Sequence, residues 1–133
     1  MINKKIFKKF NINPGLTKNI IDKIDLPKNL PQDYLELIEF CNGGEGFIGE
    51  EYIILYKLEE LNKINKDCNV NEFAPGIFII GSNGGGEAIA FDLRTNKTKY
   101  ILIPFILEYD AIIELGNNMG EFLERIYKKG FFV

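Results

Sequence analysis

Histidine and tryptophan are absent from this chain, and serine occurs once, at Ser82. Without histidine, the commonest general base and the commonest metal ligand are both missing. Ser82 would need a lysine or a terminal amine as its base, and Cys41 and Cys68 have no histidine partner either. Catalysis is therefore not expected, and neither a metal nor another cofactor is called for. The two cysteines lie far apart and form no CxxC pair. No signal peptide is recognisable, so the chain reads as one made for the reducing cytoplasm. Long apolar runs are lacking too. The longest, Tyr100 to Leu107, is interrupted by Pro104 and falls far short of the ~20 residues of a membrane span.

What is present describes an ordinary globular protein. With 133 residues, 46% of them apolar, residues 1–133 read as a single domain able to bury a real core. Eleven Phe and six Tyr point to a core of aromatics with Ile and Leu. The net charge of −3 hides an uneven distribution: residues 1–30 hold seven lysines against two aspartates, and residues 31–60 hold eight acids against one lysine. Such blocks give a surface two poles that steer a charged partner. Lys4, Lys5, Lys8 and Lys9 come without an arginine or an aromatic platform, so direct nucleic-acid binding is not expected. The first thirteen residues interleave Ile2, Ile6, Phe7 and Phe10 with these lysines, and read as a marginal amphipathic helix or as an arm. Asn13-Pro14-Gly15 breaks the chain after them.

The most informative stretch is Leu30 to Gly46. Pro31 suits a first helical turn, where its missing N–H is no loss. Tyr34, Leu37, Ile38 and Cys41 follow at i, i+3, i+4 and i+7 and line one helical face. Cys41 on that face reads as a buried free thiol. Asn42-Gly43-Gly44 supplies left-handed conformations to stop the helix. A shorter helix is expected before it, from about Thr17, a suitable N-cap, to Ile24.

Beyond this helix, residues 43–49 read as a turn-rich passage into the strand Tyr52–Tyr56. A short helix from Leu58 to about Ile64 and a polar loop over 65–75 come next. Residues 76–81 and 87–93 then flank Asn83-Gly84-Gly85-Gly86, the strongest hairpin signal in the chain. The small Ala88 and Ala90 share one face of the second strand, where a helix or a partner can pack closely. A further strand is expected over about 99–105. A final helix over about 119–129 carries Met119, Phe122, Leu123, Ile126 and Tyr127, with Asn118 and Glu121 as a variant capping box and Gly130 as its stop. The expected fold is α+β: a largely antiparallel, meandering sheet with N-terminal and C-terminal helices packed on it.

The glycine loop also invites a phosphate-binding reading, but a phosphate cradle leads from a strand into a helix, commonly with a lysine behind it. Here a strand follows and no lysine does, so a hairpin is preferred over a nucleotide site. Glu45, Glu50 and Glu51 flank flexible glycines, while Glu87 and Asp92 lie on the hairpin. Neither the paired carboxylates of a hydrolase nor the alternating ligands of a calcium loop are matched. Solvated or structural acids, an acidic partner-binding surface, and a metal or catalytic site remain in that order.

Leu30–Gly46, Leu55–Leu61, Ile80–Asp92, Ile101–Phe105 and the Phe122-Leu123 helix, in this order and spacing, resemble the SUKH superfamily. That family includes yeast cell-wall-synthesis regulators and many bacterial immunity proteins. The lysine-rich start before residue 14 has no counterpart in the pattern. The resemblance implies a SUKH-like fold and a non-enzymatic immunity protein that binds and neutralises a cognate toxin, commonly a nuclease or other effector acting on nucleic acids. The alternatives are a regulatory interaction scaffold of the cell-wall type and, behind it, a small-ligand-binding domain. An inhibitor of a basic toxin would draw on Glu45, Glu50, Glu51, Asn83, Glu87 and Asp92, with Phe47 and Tyr52 as aromatic anchors.

Overall fold

The computed structural model describes residues 4–132. Seven strands, each antiparallel to the next, run across one sheet in the order in which they occur in the chain. They are β1 (Lys9–Pro14), β2 (Cys41–Ile48), β3 (Glu51–Leu55), β4 (Ile77–Ser82), β5 (Glu87–Asp92), β6 (Lys99–Pro104) and β7 (Ile113–Gly116). Five helices accompany them: α1 (Lys18–Asp22), α2 (Gln32–Phe40), α3 (Leu61–Asp67), α4 (Val70–Phe73) and α5 (Met119–Lys128). The expected α+β meander is the observed architecture.

The sheet buries two unequal cores. On its inner face Ile53, Leu55, Phe78, Ile80, Ile89, Phe91, Tyr100 and Leu102 pack with the α2 residues Tyr34, Leu37 and Ile38 and the α5 residues Phe122, Leu123 and Ile126. On the outer face only β4–β6 are covered. There Ile77, Ile79, Ala88, Ala90, Ile101 and Ile103 meet Val70, Ala74 and Leu107. The small side chains of β5 thus admit the segment carrying α4, as their size foretold.

Polar groups tie these layers together. Asp33, at the start of α2, accepts hydrogen bonds from the Tyr100 hydroxyl (2.8 Å) and from the backbone N–H of Met119 (2.7 Å), the first residue of α5. One carboxylate thereby joins both principal helices to β6. The buried Asn42 accepts from the Leu58 N–H (2.8 Å) and donates to Glu59 (2.7 Å), and Asn65 brackets Ile79 through both its N–H and its C=O. Thr17 and Asn118 cap their helices as expected, and Glu121 returns a bond to the N–H of Asn117 rather than that of the cap residue.

Several expectations need correction. The segment before residue 14 is neither an arm nor an amphipathic helix: after one 3-10 turn over Lys4–Phe7 it forms the edge strand β1. Its residues 1–3, Ile2 among them, lie outside the described residues. The physical reason is the alternation Lys9-Phe10-Asn11-Ile12, which has period two, and Phe10 and Phe7 anchor it in the inner core. Residues 43–48 are not a turn-rich passage either. Cys41 already has extended geometry (φ −145°, ψ 127°), and α2 runs directly into β2. Gly44 and Gly46 have positive φ (146° and 149°) inside that strand, and a β-carbon at either would also collide with the β1 backbone, so glycine is required on both counts. The 65–75 loop contains the end of α3 and all of α4, and α1 stops at Asp22. β7 was not anticipated.

Cys41 is fully buried and unbridged, whereas Cys68 is half-buried. Burial pushes the Cys41 thiol up to about 11, which starves it of reactive thiolate. Iodoacetamide at pH 8 should therefore label Cys68 first and reach Cys41 only in denaturant. Peptide mass spectrometry reads both sites, and fast native labelling of Cys41 would contradict its placement.

Candidate interaction surface

Because helices cover only one face of β1–β3, the other face of these strands is open. The pairing registers set its residues in rows. Lys9, Phe47 and Tyr52 form one row, and Asn11, Glu45, Ile54 and Ser82 the next. Phe47 is 46% exposed, a high value for a phenylalanine in a strand. Its ring meets that of Tyr52 edge to face at 5.3 Å, and the Tyr52 hydroxyl donates to Glu45. This bond to the carboxylate pushes the phenol's pKa upward.

The β4–β5 hairpin borders the same surface, for a β-carbon on Gly84 would touch the Tyr52 ring at 3.4 Å. Within the loop, Asn83 does most of the holding. Its amide donates to Glu87 (2.8 Å), and its oxygen accepts from the N–H groups of Gly85 (2.9 Å) and Glu87 (3.4 Å). Ser82 accepts from the Gly84 N–H at 3.0 Å. A phosphate cradle needs such N–H groups aimed at its ligand. Here the loop's own side chains occupy them, and the Glu87 carboxylate stands alongside. The hairpin reading is the one the geometry favours.

Of the eight residues singled out from the sequence, the structure brings Glu45, Phe47 and Tyr52 together on this face. Asn83 and Glu87 are bonded to each other in the adjoining hairpin, where Glu87 follows the alternation of the inner-face Ile89 and Phe91. Glu50 lies at its margin, in the β2–β3 turn beside the end of α5. Glu51 points to the inner side and accepts from the Phe131 N–H at 2.7 Å, pinning the C-terminal segment. Asp92 sits at the opposite end of β5, about 17 Å from Glu87 at ~3.4 Å per residue, where Arg94 grips it through two bonds of 3.0 and 2.9 Å. Missed from the sequence were Lys9 and Asn11, since their strand was not recognised. The period-two alternation ending at Pro14 was the signal available.

The acidic block over 31–60 does not form a single pole. Asp33 is bound inside the helical layer, Glu59 is held by Asn42 and Glu51 faces the C-terminal segment, whereas Glu45 is bonded to Tyr52 on the open face. No group of three or more acidic or cysteine side chains comes together among the described residues in a manner that would hold a metal ion. Nor is any described helix long and apolar enough to cross a membrane.

Two of the bonded acids have a consequence for stability. The bond from Arg94 holds the Asp92 carboxyl below its ordinary range, and the Asn42 amide does the same for Glu59. A carboxyl depressed in the folded state stabilises the fold above its unfolded pKa, and that contribution is lost as pH falls through the folded value. Urea midpoints should therefore decline below about pH 4. Asp92→Asn should have a shallower acid limb, and an unaltered limb would show that the pair contributes nothing.

The family model described as SMI1 / KNR4 family (SUKH-1) matches residues 17–125. The match takes in α1 to most of α5 and leaves out β1. No curated protein matches the chain.

Proposed function

The chain belongs to the SMI1 / KNR4 family (SUKH-1), and from that premise we propose that it is a non-enzymatic immunity protein that binds a cognate toxin and blocks it. Membership supports a protein-interaction role of the immunity or regulatory kind. The observation that carries the finer reading is the half-uncovered sheet: an exposed phenylalanine against a tyrosine, bordered by the carboxylate of Glu45 and by a loop rich in glycine. Rigid aromatics on a β-scaffold are suited to act as anchors, because little conformational freedom is lost when a partner covers them.

Inhibition of this kind works by occlusion. A toxin acting on nucleic acid presents a basic cleft, and the sheet would cover it with Phe47 and Tyr52 near the centre and Glu45 as a charged partner at the rim. The rim charges chiefly speed encounter, while the anchors slow dissociation. Lys9 lies in the same row as the aromatics, so the face is mixed in sign rather than uniformly acidic.

The test reads the genes flanking this one, where a large toxin gene is expected immediately upstream, and measures binding of that purified protein by surface plasmon resonance. Phe47→Ala should weaken binding by about 2 kcal/mol, chiefly through faster dissociation. Glu45→Lys should slow association most at low salt. Both residues are exposed, so the thermal melts should remain near native. Failure of the native protein to bind or inhibit the toxin would falsify the reading.

A further inference from the structure

The turn after β6 holds the most exposed of the large apolar side chains among the described residues. Ile106 is 71% exposed, while the next residue, Leu107, is 4% exposed and belongs to the outer core. Leu107 has φ +58°. That is an unfavourable value for a side chain of its size. Burial of the leucine and its N–H bond to the Pro104 carbonyl (2.7 Å) hold the turn closed. With the chain so fixed, Ile106 stays out in solvent.

The turn is continuous with the surface already described. The Phe105 N–H donates to the Gly86 carbonyl at 2.9 Å, and Glu87 pairs with Pro104 across β5 and β6. Ile106 therefore stands at the same end of the sheet as the glycine loop and Tyr52. Tyr52 on β3 is three strand spacings from β6, or about 15 Å, and Phe47 on β2 lies one spacing further. A standard interface of ~800 Å² per partner is roughly 30 Å across, so one partner can reach both ends.

We propose that Ile106 is a second anchor of the toxin-binding surface, received by an apolar pocket on the toxin rimmed with lysine or arginine. The charge of the pocket's rim follows from the acids near Ile106 in the turn: Glu87 pairs with Pro104, two residues before it, and the exposed Glu108 follows two residues later. The strained turn holds the isoleucine projected before the partner arrives, which reduces the ordering needed on binding. This inference rests on the immunity reading, and it adds a contact site outside the β1–β3 face.

The experiment measures affinity for the same purified toxin with Ile106→Asp, Ile106→Ala and Ile20→Asp. Ile20 is a control, 48% exposed on α1. Ile106→Asp should weaken binding about 30-fold or more and Ile106→Ala about tenfold, with melts near native, while Ile20→Asp should bind as the native protein does. Amides over 104–108 should gain hydrogen-exchange protection in the complex. If Phe47→Ala weakens binding and Ile106→Asp does not, the second anchor is wrong and the immunity reading stands. Equal weakening by Ile20→Asp would also overturn it, and if the native protein does not bind the toxin, both fall together.

Discussion

Asp33→Ala should destabilise the protein by about 3 kcal/mol, because it strands two donors that the fold has removed from water. The carboxylate accepts from the Tyr100 hydroxyl and from the Met119 N–H, at 2.8 and 2.7 Å. Tyr100 is completely buried, and its ring stacks on Phe122 at 5.1 Å. Water cannot easily replace the lost acceptor there. The Met119 N–H is one of the donors at the start of α5 that have no partner within the helix, and the negative charge beside it favours the helix dipole as well. For a chain of this size the loss should lower the melting temperature by about 10 °C.

Two companion variants separate the parts. Tyr100→Phe removes one donor together with its need and should cost about 1 kcal/mol. Asp33→Asn retains one acceptor oxygen but turns an amide toward the other donor, and should fall between the two. Urea titration reads all three. If Asp33→Ala cost no more than Tyr100→Phe, the link between α2 and α5 would be immaterial.

The second large effect is expected at Gly46. Its φ of +149° is one that side-chain-bearing residues rarely adopt, and a β-carbon would lie 2.5 Å from the Lys9 carbonyl oxygen and 2.7 Å from the Phe10 α-carbon. Backbone atoms cannot yield as a flexible side chain can. Gly46→Val should therefore push β1 off the sheet, exposing Phe10 and loosening Phe7, whose rings meet at 5.6 Å. Losing the burial of one such phenylalanine costs about 3–5 kcal/mol. Hydrogen exchange locates the damage: protection should vanish over 9–14 and persist over 101–103. Native protection of β1 in the variant would show that the strand can move aside without detaching.

Much of the architecture could be read before any coordinates. The stripe Tyr34, Leu37 and Ile38 is buried as its helical spacing implied, whereas Cys41 is buried as the first residue of β2. The strands β3 to β6 lie near the expected positions, and the hairpin at Asn83–Gly86 forms where the glycines announced it. These features are local. A helical stripe, a period-two run and a turn each depend on residues a few positions apart, so their signals sit together in the chain.

The glycines of β2 show where that reading stops. Gly43-Gly44-Glu45-Gly46 has the composition of a turn, and only the presence of β1 alongside explains why glycine is needed within a strand. Asp33 likewise reads as an ordinary first-turn acid, and its partners Tyr100 and Met119 are 67 and 86 residues away. For the interaction surface the division is similar. Composition and spacing picked out Glu45, Phe47, Tyr52, Asn83 and Glu87, whereas strand register set the first three beside one another, added Lys9, and took Glu51 and Asp92 away. The sequence by itself determined the helices α2 and α5, the strands β3 to β6 with their hairpin, which faces of these are apolar, and that histidine-based chemistry is absent. Only the tertiary structure decided which face of the sheet stays uncovered and which charges are already engaged, because both depend on contacts between residues distant in the chain, whose partners no local pattern encodes.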